Sequence, residues 1–208
     1  MEAQTKETQD KMTPDKSLNE LKLGNQRFVN KNQLNRDLLQ QVKETSTGQY
    51  PFATILSCID SRVSSELIFD QGIGDIFSVR IAGNFVNEDI LGSMEFACKL
   101  AGTKLIVVLG HTACGAVKGA CDHARLGNLT ALINKIEPAV DAVIEPQDKS
   151  LRNSSNIEFV NRVAEKNVQM TISEIRSASP VLNEMEKNGE IKIIGGIYDI
   201  ASGLVNFN

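Results

Sequence analysis

Four short apolar runs, separated by stretches with helical spacing, constrain the fold of this chain more than any other feature. They are rich in β-branched residues and cover residues 52–57, 76–80, 104–110 and 191–198. Nearly continuous apolar runs of this length are typical of strands that are buried on both faces. Helical spacing is found in the intervening residues 65–71, 89–101, 115–124 and 156–177. Strands that alternate with helices predict an α/β fold, with a central, mostly parallel β-sheet flanked by helices.

The first fifty residues are predicted to form a helical arm ahead of the sheet. Thr13, which precedes a proline, and Ser17, which stands three residues before a glutamate, can each cap a helix that ends near residue 30. A second helix is predicted over residues 35–48, and an exposed loop over residues 145–155. We therefore predict a single domain over residues 1–208, with a polar flexible leader at 1–16 and an N-terminal helical arm at 17–50.

Charge and hydropathy exclude two classes of partner. The formal net charge is −4 at pH 7, which argues against a protein that grips phosphate backbones, so no nucleic-acid partner is expected. No apolar run reaches the roughly 20 residues that cross a bilayer, so no membrane span is expected. The expected location is cytoplasmic, or periplasmic or exported if a signal peptide has been removed.

Two predicted strands are followed directly by residues that bind metals. Cys58 follows the first, and His111 and Cys114 follow the third. Because ligands of α/β proteins bind at the carboxyl ends of the strands, these side chains are expected to meet in one crevice. Two thiolates and an imidazole suit zinc and leave its fourth position open, as in catalytic sites. The alternative is that all three are ordinary core residues, because short Cys/His spacings recur by accident.

A carboxylate and a guanidinium lie beside the first predicted ligand. If residues 58–62 are extended, Cys58, Asp60 and Arg62 share one face, and Arg62 can hold Asp60 ionised through a two-pronged hydrogen bond. Asp60 would then be a hydrogen-bond acceptor directed at the open metal position. The alternative reading of Asp60-Ser61-Arg62 is a helix N-terminus with a local ion pair.

Together these residues resemble the signature of the β-class carbonic anhydrases. That signature is Cys-x-Asp-Ser-Arg, matched at residues 58–62, followed later by His-x-x-Cys-Gly, matched at residues 111–115. The resemblance extends over most of the chain and includes residues 23–28, 80–84, 110–120 and 195–199. It implies a lyase that interconverts carbon dioxide and bicarbonate with one zinc ion per subunit.

The resemblance also implies a role for individual residues. Cys58, His111 and Cys114 would be the zinc ligands, and Asp60 with Arg62 the catalytic dyad. Other positions would contact the substrate: Gln49, which matches a glutamine of the plant-like branch, the backbone of Gly115, and the apolar side chains Phe77, Ala82 and Phe96. Relatives form homodimers or homotetramers with the active site at the subunit interface, where Leu21 and Phe28 could contribute.

Some features depart from the family or leave alternatives open. Phe96 replaces a tyrosine of many relatives, and Ile55 replaces the tryptophan of a noncatalytic bicarbonate pocket, so inhibition through that pocket is not expected. A plain core role is the alternative for Phe77, Ala82 and Phe96. The same site could also hydrolyse carbon disulfide or carbonyl sulfide, or the zinc could be structural. Cys98 and Cys121 are expected to be buried apolar residues, and His123 an exposed residue or a proton shuttle.

Overall fold

The computed structural model describes residues 2–208, and within these residues the strands form one five-stranded sheet in the order β2-β1-β3-β4-β5. The strands are β1 (Ala53–Ser57), β2 (Ile76–Arg80), β3 (Leu105–His111), β4 (Lys192–Tyr198) and β5 (Val205–Phe207). The first four are parallel, and β5 is antiparallel to β4. The predicted α/β fold with a mostly parallel sheet is confirmed, and each predicted strand lies within one residue of its observed bounds.

Helices cover both faces of the sheet. They are α1 (Lys6–Asp10), α2 (Pro14–Val29), α3 (Leu38–Glu44), α4 (Ser65–Ile68), α5 (Glu88–Glu95), α6 (Gly115–Cys121), α7 (Gly127–Ala142), α8 (Ile157–Ala178) and α9 (Pro180–Lys187). Successive residues of β3 face opposite ways: Ile106 packs with α5, α8 and α9, whereas Val107 packs with α2 and α4. This two-residue alternation explains why the strand is apolar throughout.

The leader predicted at residues 1–16 packs in part against the domain: Ala3 and Gln9 are buried, whereas Glu2 and Lys6 are exposed. It contains α1, and its buried Gln9 donates hydrogen bonds to the carbonyls of Pro51 and Ala101, both at 2.8 Å. Thr13 caps α2, which confirms one of the two predicted helix starts. Ser17 lies inside that helix, and its hydroxyl instead donates to the carbonyl of Phe52.

Several elements differ from those predicted. The predicted second helix over 35–48 is reduced to α3, and the helix predicted over 89–101 changes from α5 into a π-helix at Phe96–Leu100. Pro180 was read only as the end of α8, but it is the first residue of α9, and Ser179 caps that helix. Two further elements, α7 and β5, were not predicted. The predicted exposed loop is largely exposed and contains a short 3₁₀ helix at Lys149–Leu151.

No helix among residues 2–208 is long and apolar enough to cross a membrane.

A buried ion-pair cluster fixes the arm to the sheet. The Asp70 carboxylate accepts hydrogen bonds from Arg27 at 2.5 Å, from Arg36 at 2.6 Å and from the backbone N–H of Leu34 at 3.2 Å. Nearby, Gly24 of α2 lies so close to the carbonyl of Phe69 that a Cβ on residue 24 would come within 1.8 Å of its oxygen. The arm therefore packs on its own subunit through both charge and close backbone contact.

Replacing Asp70 with asparagine is expected to lower the free energy of unfolding by about 3 kcal/mol or more, because two guanidinium groups lose their counter-charge in a buried site. Asparagine tolerates the left-handed backbone of Asp70 (φ 47°), so the change isolates the charge. Asp10→Asn, at an exposed ion pair with Lys6, is the control and should change stability little. Equal midpoints for both variants in urea denaturation would contradict the prediction.

The same cluster predicts a pH dependence. Burial alone would raise the pKa of Asp70, but hydrogen bonds from Arg27 and Arg36 outweigh it and hold the pKa below its usual value. A lowered native pKa stabilises the fold fully above the unfolded value of about 3.9 and loses this effect as the pH falls through the native value. The stability difference between the wild type and Asp70→Asn should therefore shrink in acid.

Candidate metal centre

The carboxyl ends of the neighbouring strands β1 and β3 bring Cys58, His111 and Cys114 together. Their ligand atoms all lie within 4.8 Å of one another, and the two sulfurs are 3.9 Å apart. All three side chains are buried, and His111 is fully inaccessible. A buried cluster of two thiols and one imidazole could hold a metal ion, as the strand-end positions predicted.

The orientation of His111 fits such an ion. Its Nδ1 is 3.0 Å from the carbonyl oxygen of Thr112, to which an Nδ1–H donates. With the proton on Nδ1, the lone pair is on Nε2, which is buried and has no hydrogen-bond partner among the described residues. A metal ion accounts for this otherwise unsatisfied nitrogen, because metal-bound histidines usually donate their other ring N–H to an oxygen.

The two thiols differ in acidity. The hydrogen bond from Cys114, together with the one from the backbone N–H of Gly83, outweighs burial and lowers the pKa of Cys58 to about 4. The bond to Cys58 and burial raise the pKa of Cys114 well above its usual value. The pair on its own therefore holds one negative charge and one shared proton. A divalent cation among the three ligand atoms would allow both sulfurs to ionise.

Asp60 and Arg62 form an ion pair beside the cluster. Arg62 donates from Nε to Oδ1 of Asp60 at 2.9 Å and from Nη2 to Oδ2 at 2.7 Å. Oδ2 of Asp60 is 3.9 Å from Nε2 of His111. The hydrogen bonds from Arg62 hold the pKa of Asp60 well below its usual range. The carboxylate is therefore ionised and points at the metal cluster.

The local backbone differs from the extended segment assumed for residues 58–62. The N–H of Val63 donates to the carbonyl of Asp60, which closes a turn, and the N–H of Arg62 donates to Oδ1 of Asp60 at 3.0 Å. This turn, in which a side chain accepts from the backbone two residues on, brings the two charged groups together. The ion pair between Asp60 and Arg62 was predicted, but the extended backbone assumed as its cause was wrong.

Three polar side chains that the sequence analysis gave no role hold the ligand loops. Arg80 donates to the carbonyls of Cys58 and Asp60, at 3.0 and 2.7 Å. Asn161 accepts from the N–H of Ala113 at 2.9 Å, and Asn167 donates to the carbonyl of Gly83 at 2.7 Å. The signal for Asn167 in the sequence is a polar residue on an otherwise apolar helix face.

The predicted substrate residues fall into two groups. Ala82 precedes Gly83, whose N–H donates to the Cys58 sulfur, and Gly115 directly follows Cys114 at the start of α6. Gln49 is exposed and precedes β1, at the opposite end of that strand from Cys58. Phe77 pairs in register with Thr54, about 13 Å along the strand from Cys58.

Phe77 and Phe96 instead line an open cavity of about 750 Å³ between β2 and α5. Their ring centroids are 6.3 Å apart, and Phe96 is half exposed. One subunit thus brings Ala82 and Gly115 to the metal cluster but leaves Gln49, Phe77 and Phe96 away from it. The plain core role weighed for Phe96 does not fit its exposure.

The chain is similar to proteins of one known family. Residues 53–205, from the first residue of β1 to the first of β5, match the family model described as carbonic anhydrase. The chain is 34% identical to carbonic anhydrase 2 of Mycobacterium tuberculosis over 163 residues, covering 76% of this chain and 74% of that protein. It is 30% identical to the carbonic anhydrase of Pseudomonas aeruginosa over 173 residues, covering 80% and 77%.

Solved structures are similar in fold as well. The β-carbonic anhydrase CafA of Aspergillus fumigatus superposes with a TM-score of 0.70 at 29% identity, covering 80% of this chain and 79% of that one. A β-carbonic anhydrase of Sordaria macrospora, described as tetrameric, gives a TM-score of 0.68 at 25% identity, covering 79% and 84%.

Proposed function

This chain belongs to the β class of the carbonic anhydrase family, and on that premise we propose that it catalyses the zinc-dependent, reversible hydration of carbon dioxide to bicarbonate and a proton. The observation that carries the proposal is the buried cluster of Cys58, His111 and Cys114 with the ionised Asp60 beside it. Three protein ligands and an adjacent acceptor are what a catalytic zinc site requires, because a structural site would need a fourth protein ligand.

In this proposal each subunit holds one zinc ion through Cys58, His111 and Cys114. When bound there, zinc supplies a Lewis acid that lowers the pKa of a water molecule and so provides a nucleophile near neutral pH. The hydrogen bond from Nδ1 of His111 to the Thr112 carbonyl fixes the ring so that Nε2 would be available to bind the ion. The turn at Asp60 keeps its carboxylate out of the ligand set and in reach of the open position.

Asp60 and Arg62 are assigned to proton handling. Because Arg62 holds both carboxylate oxygens and keeps Asp60 ionised, Oδ2 would be a fixed hydrogen-bond acceptor for a water molecule at the open position. Only 15% of the Asp60 side chain is exposed, so little water competes for that oxygen, whereas the half-exposed Arg62 connects the dyad to solvent. Protons can then leave through water and buffer.

The substrate pocket is proposed to combine two subunits. Ala82 and the N–H of Gly115 adjoin the metal cluster within one subunit, and Gly115 is exposed at the start of α6, so substrate can approach it. Gln49, Phe77 and Phe96 lie too far along the sheet to reach the same cluster. We assign them to the site of a partner subunit, where the two rings would line an apolar wall for carbon dioxide.

The contact between subunits is proposed to lie along the edge strand β2. An apolar edge surface there comprises the exposed side chains Leu38, Leu39, Val42, Leu67 and Ile73. Leu38, Leu67 and Ile73 line one groove with Ile76 of β2, so this surface reaches the edge of the sheet. Leu21, considered above as an interface residue, is fully buried in its own subunit and is corrected to a core role. We propose a homodimer or a homotetramer built on this surface.

Replacing Leu39 with aspartate is expected to shift the assembly toward monomers and to reduce hydration in parallel, because a charge at the centre of an apolar interface is left unpaired. Leu39 is 75% exposed in the single subunit. Leu126→Asp is the control, because Leu126 is 71% exposed but lies outside this surface. Sedimentation velocity measures the assembly. Unchanged sedimentation of Leu39→Asp would contradict the interface.

The proposed reaction is tested by stopped-flow hydration assays on zinc-loaded protein and on protein stripped with a chelator. We expect rapid hydration that depends on zinc and much slower turnover of carbonyl sulfide and carbon disulfide. Faster hydrolysis of either sulfur compound would assign the site to that substrate instead. Zinc binding without turnover of any of the three would indicate a structural ion.

A further inference from the structure

The Cys58 sulfur accepts a hydrogen bond from the backbone N–H of Gly83, at 3.4 Å in a buried environment. A thiolate buried with a metal ion is sensitive to such donors, because a hydrogen bond to sulfur withdraws electron density that would otherwise pass to the metal. The ion then remains a stronger Lewis acid. The position of the Gly83 N–H is therefore a means of tuning the centre that does not involve any metal ligand directly.

The Gly83 peptide reaches the sulfur through an unusual backbone conformation. Its φ is +79°, a left-handed value that favours glycine, and a Cβ at this position would come within 2.3 Å of a methyl group of Ile136. The next residue, Asn84, also has a positive φ of 41°. A loop with two successive residues in this region needs support from its surroundings to hold one conformation.

Asn167 of α8 supplies that support. Its Nδ2 donates to the carbonyl of Gly83 at 2.7 Å, and the side chain is only 3% exposed. The neighbouring inward positions of α8, Val163, Ala164 and Val168, are apolar. Burying an amide on such a helix face is unfavourable unless it is hydrogen-bonded, so the bond to Gly83 accounts for the residue type.

We propose that Asn167 is a positioning residue of the metal centre, which acts by holding the Gly83 N–H against the Cys58 sulfur. The inference rests on the proposed zinc site and goes beyond it, because Asn167 touches neither the ion nor the substrate. The long helix α8 would then influence the electron density on the Cys58 sulfur, in addition to packing against the sheet.

The test compares Asn167→Leu and Asn167→Ser with Thr171→Val. Leucine keeps the approximate shape but removes the donor, and serine is a smaller change that avoids overpacking if the leucine variant does not fold. Thr171 is buried one turn further along α8, so Thr171→Val controls for loss of a buried polar group on the same helix. Two quantities are measured: the rate of zinc release to a chelator, and the thiolate-to-metal charge-transfer band of the cobalt-substituted proteins.

In both Asn167 variants the Cys58 sulfur should become more electron-rich, so the cobalt bands are expected to move to longer wavelength. A more basic sulfur is also protonated more readily, so zinc release is expected to be about tenfold faster or more than in wild type. Thr171→Val should match wild type in both. Release rates within about twofold of the control would overturn the proposal. Faster release with an unmoved band would also overturn it, because that result indicates only a loosened loop.

These outcomes are separable from those of the proposed function. A wild-type protein that binds zinc and cobalt but hydrates no carbon dioxide refutes the proposed reaction, while the band and release rates still decide the role of Asn167. A wild-type protein that binds neither ion overturns both.

Discussion

His111→Ala is expected to lose both zinc and carbon dioxide hydration, with turnover falling to the uncatalysed rate. The imidazole is one of three ligands, and two sulfurs 3.9 Å apart do not complete a stable site on their own. Removing it also leaves a cavity at a fully buried position at the end of β3. The measurements are the zinc content after dialysis against a metal-buffered solution and the stopped-flow hydration rate.

His123→Ala is the matched control, because His123 is the other histidine of the chain. Its side chain is 62% exposed and contacts Glu137 at 2.9 Å, away from the metal cluster. This variant should retain one zinc ion per subunit. Full zinc occupancy in His111→Ala, or equal loss of zinc in both variants, would show that the ligand assignment is wrong.

Asp60→Asn is expected to keep zinc and to lose most of its activity, by a factor of about 10² or more. The amide is nearly isosteric with the carboxylate but lacks its negative charge and one of its two acceptor oxygens, and its NH₂ group would face the donors of Arg62. The ligand trio is unchanged, so metal content should match wild type. This combination separates proton handling from metal binding.

Asp141→Asn, at an exposed position on α7, is the control for loss of one negative charge. It should leave both zinc and hydration unchanged. The two variants are compared with wild type from about pH 7 to 9, where buffer can be varied to detect a change in proton transfer. Wild-type turnover by Asp60→Asn across this range would remove Asp60 from the mechanism.

The sheet and the metal cluster were predictable from the sequence because both depend on local patterns. Each strand is a short apolar run, and β1 and β3 are each followed by a ligand residue. Since parallel neighbours end at the same edge, Cys58 and His111 had to approach each other once the two strands were adjacent. The positions of the ligands thus follow from the same periodicity that predicts the fold.

The supporting contacts could not be predicted because they join residues distant in sequence. Asn167 meets Gly83 only because α8 packs across β3 and β4, and nothing near residue 167 indicates its partner. The charge cluster at Asp70 likewise joins α2, the loop after it and the end of α4. Short elements were also not predicted from the sequence. Strand β5 has three residues, too few to produce a periodic pattern.

The positions of the proposed substrate residues could not be predicted for a different reason. The family resemblance placed Gln49, Phe77 and Phe96 with the zinc ligands, but a single subunit separates them along β1 and β2. A sequence pattern identifies residues of one site without stating which subunit supplies each of them. The half-exposed ring of Phe96 beside Phe77, and the apolar surface along the edge of the sheet, give a physical reason to assign them to a partner.

An anomalous difference map recorded at the zinc absorption edge, from crystals grown near pH 8, tests the central claim most directly. We expect one peak per subunit, coordinated by the sulfurs of Cys58 and Cys114 and by Nε2 of His111, with a water molecule as the fourth ligand and Asp60 hydrogen-bonded to it. A map without a peak among these three side chains, or a peak whose fourth ligand is another protein side chain, would contradict a catalytic zinc site.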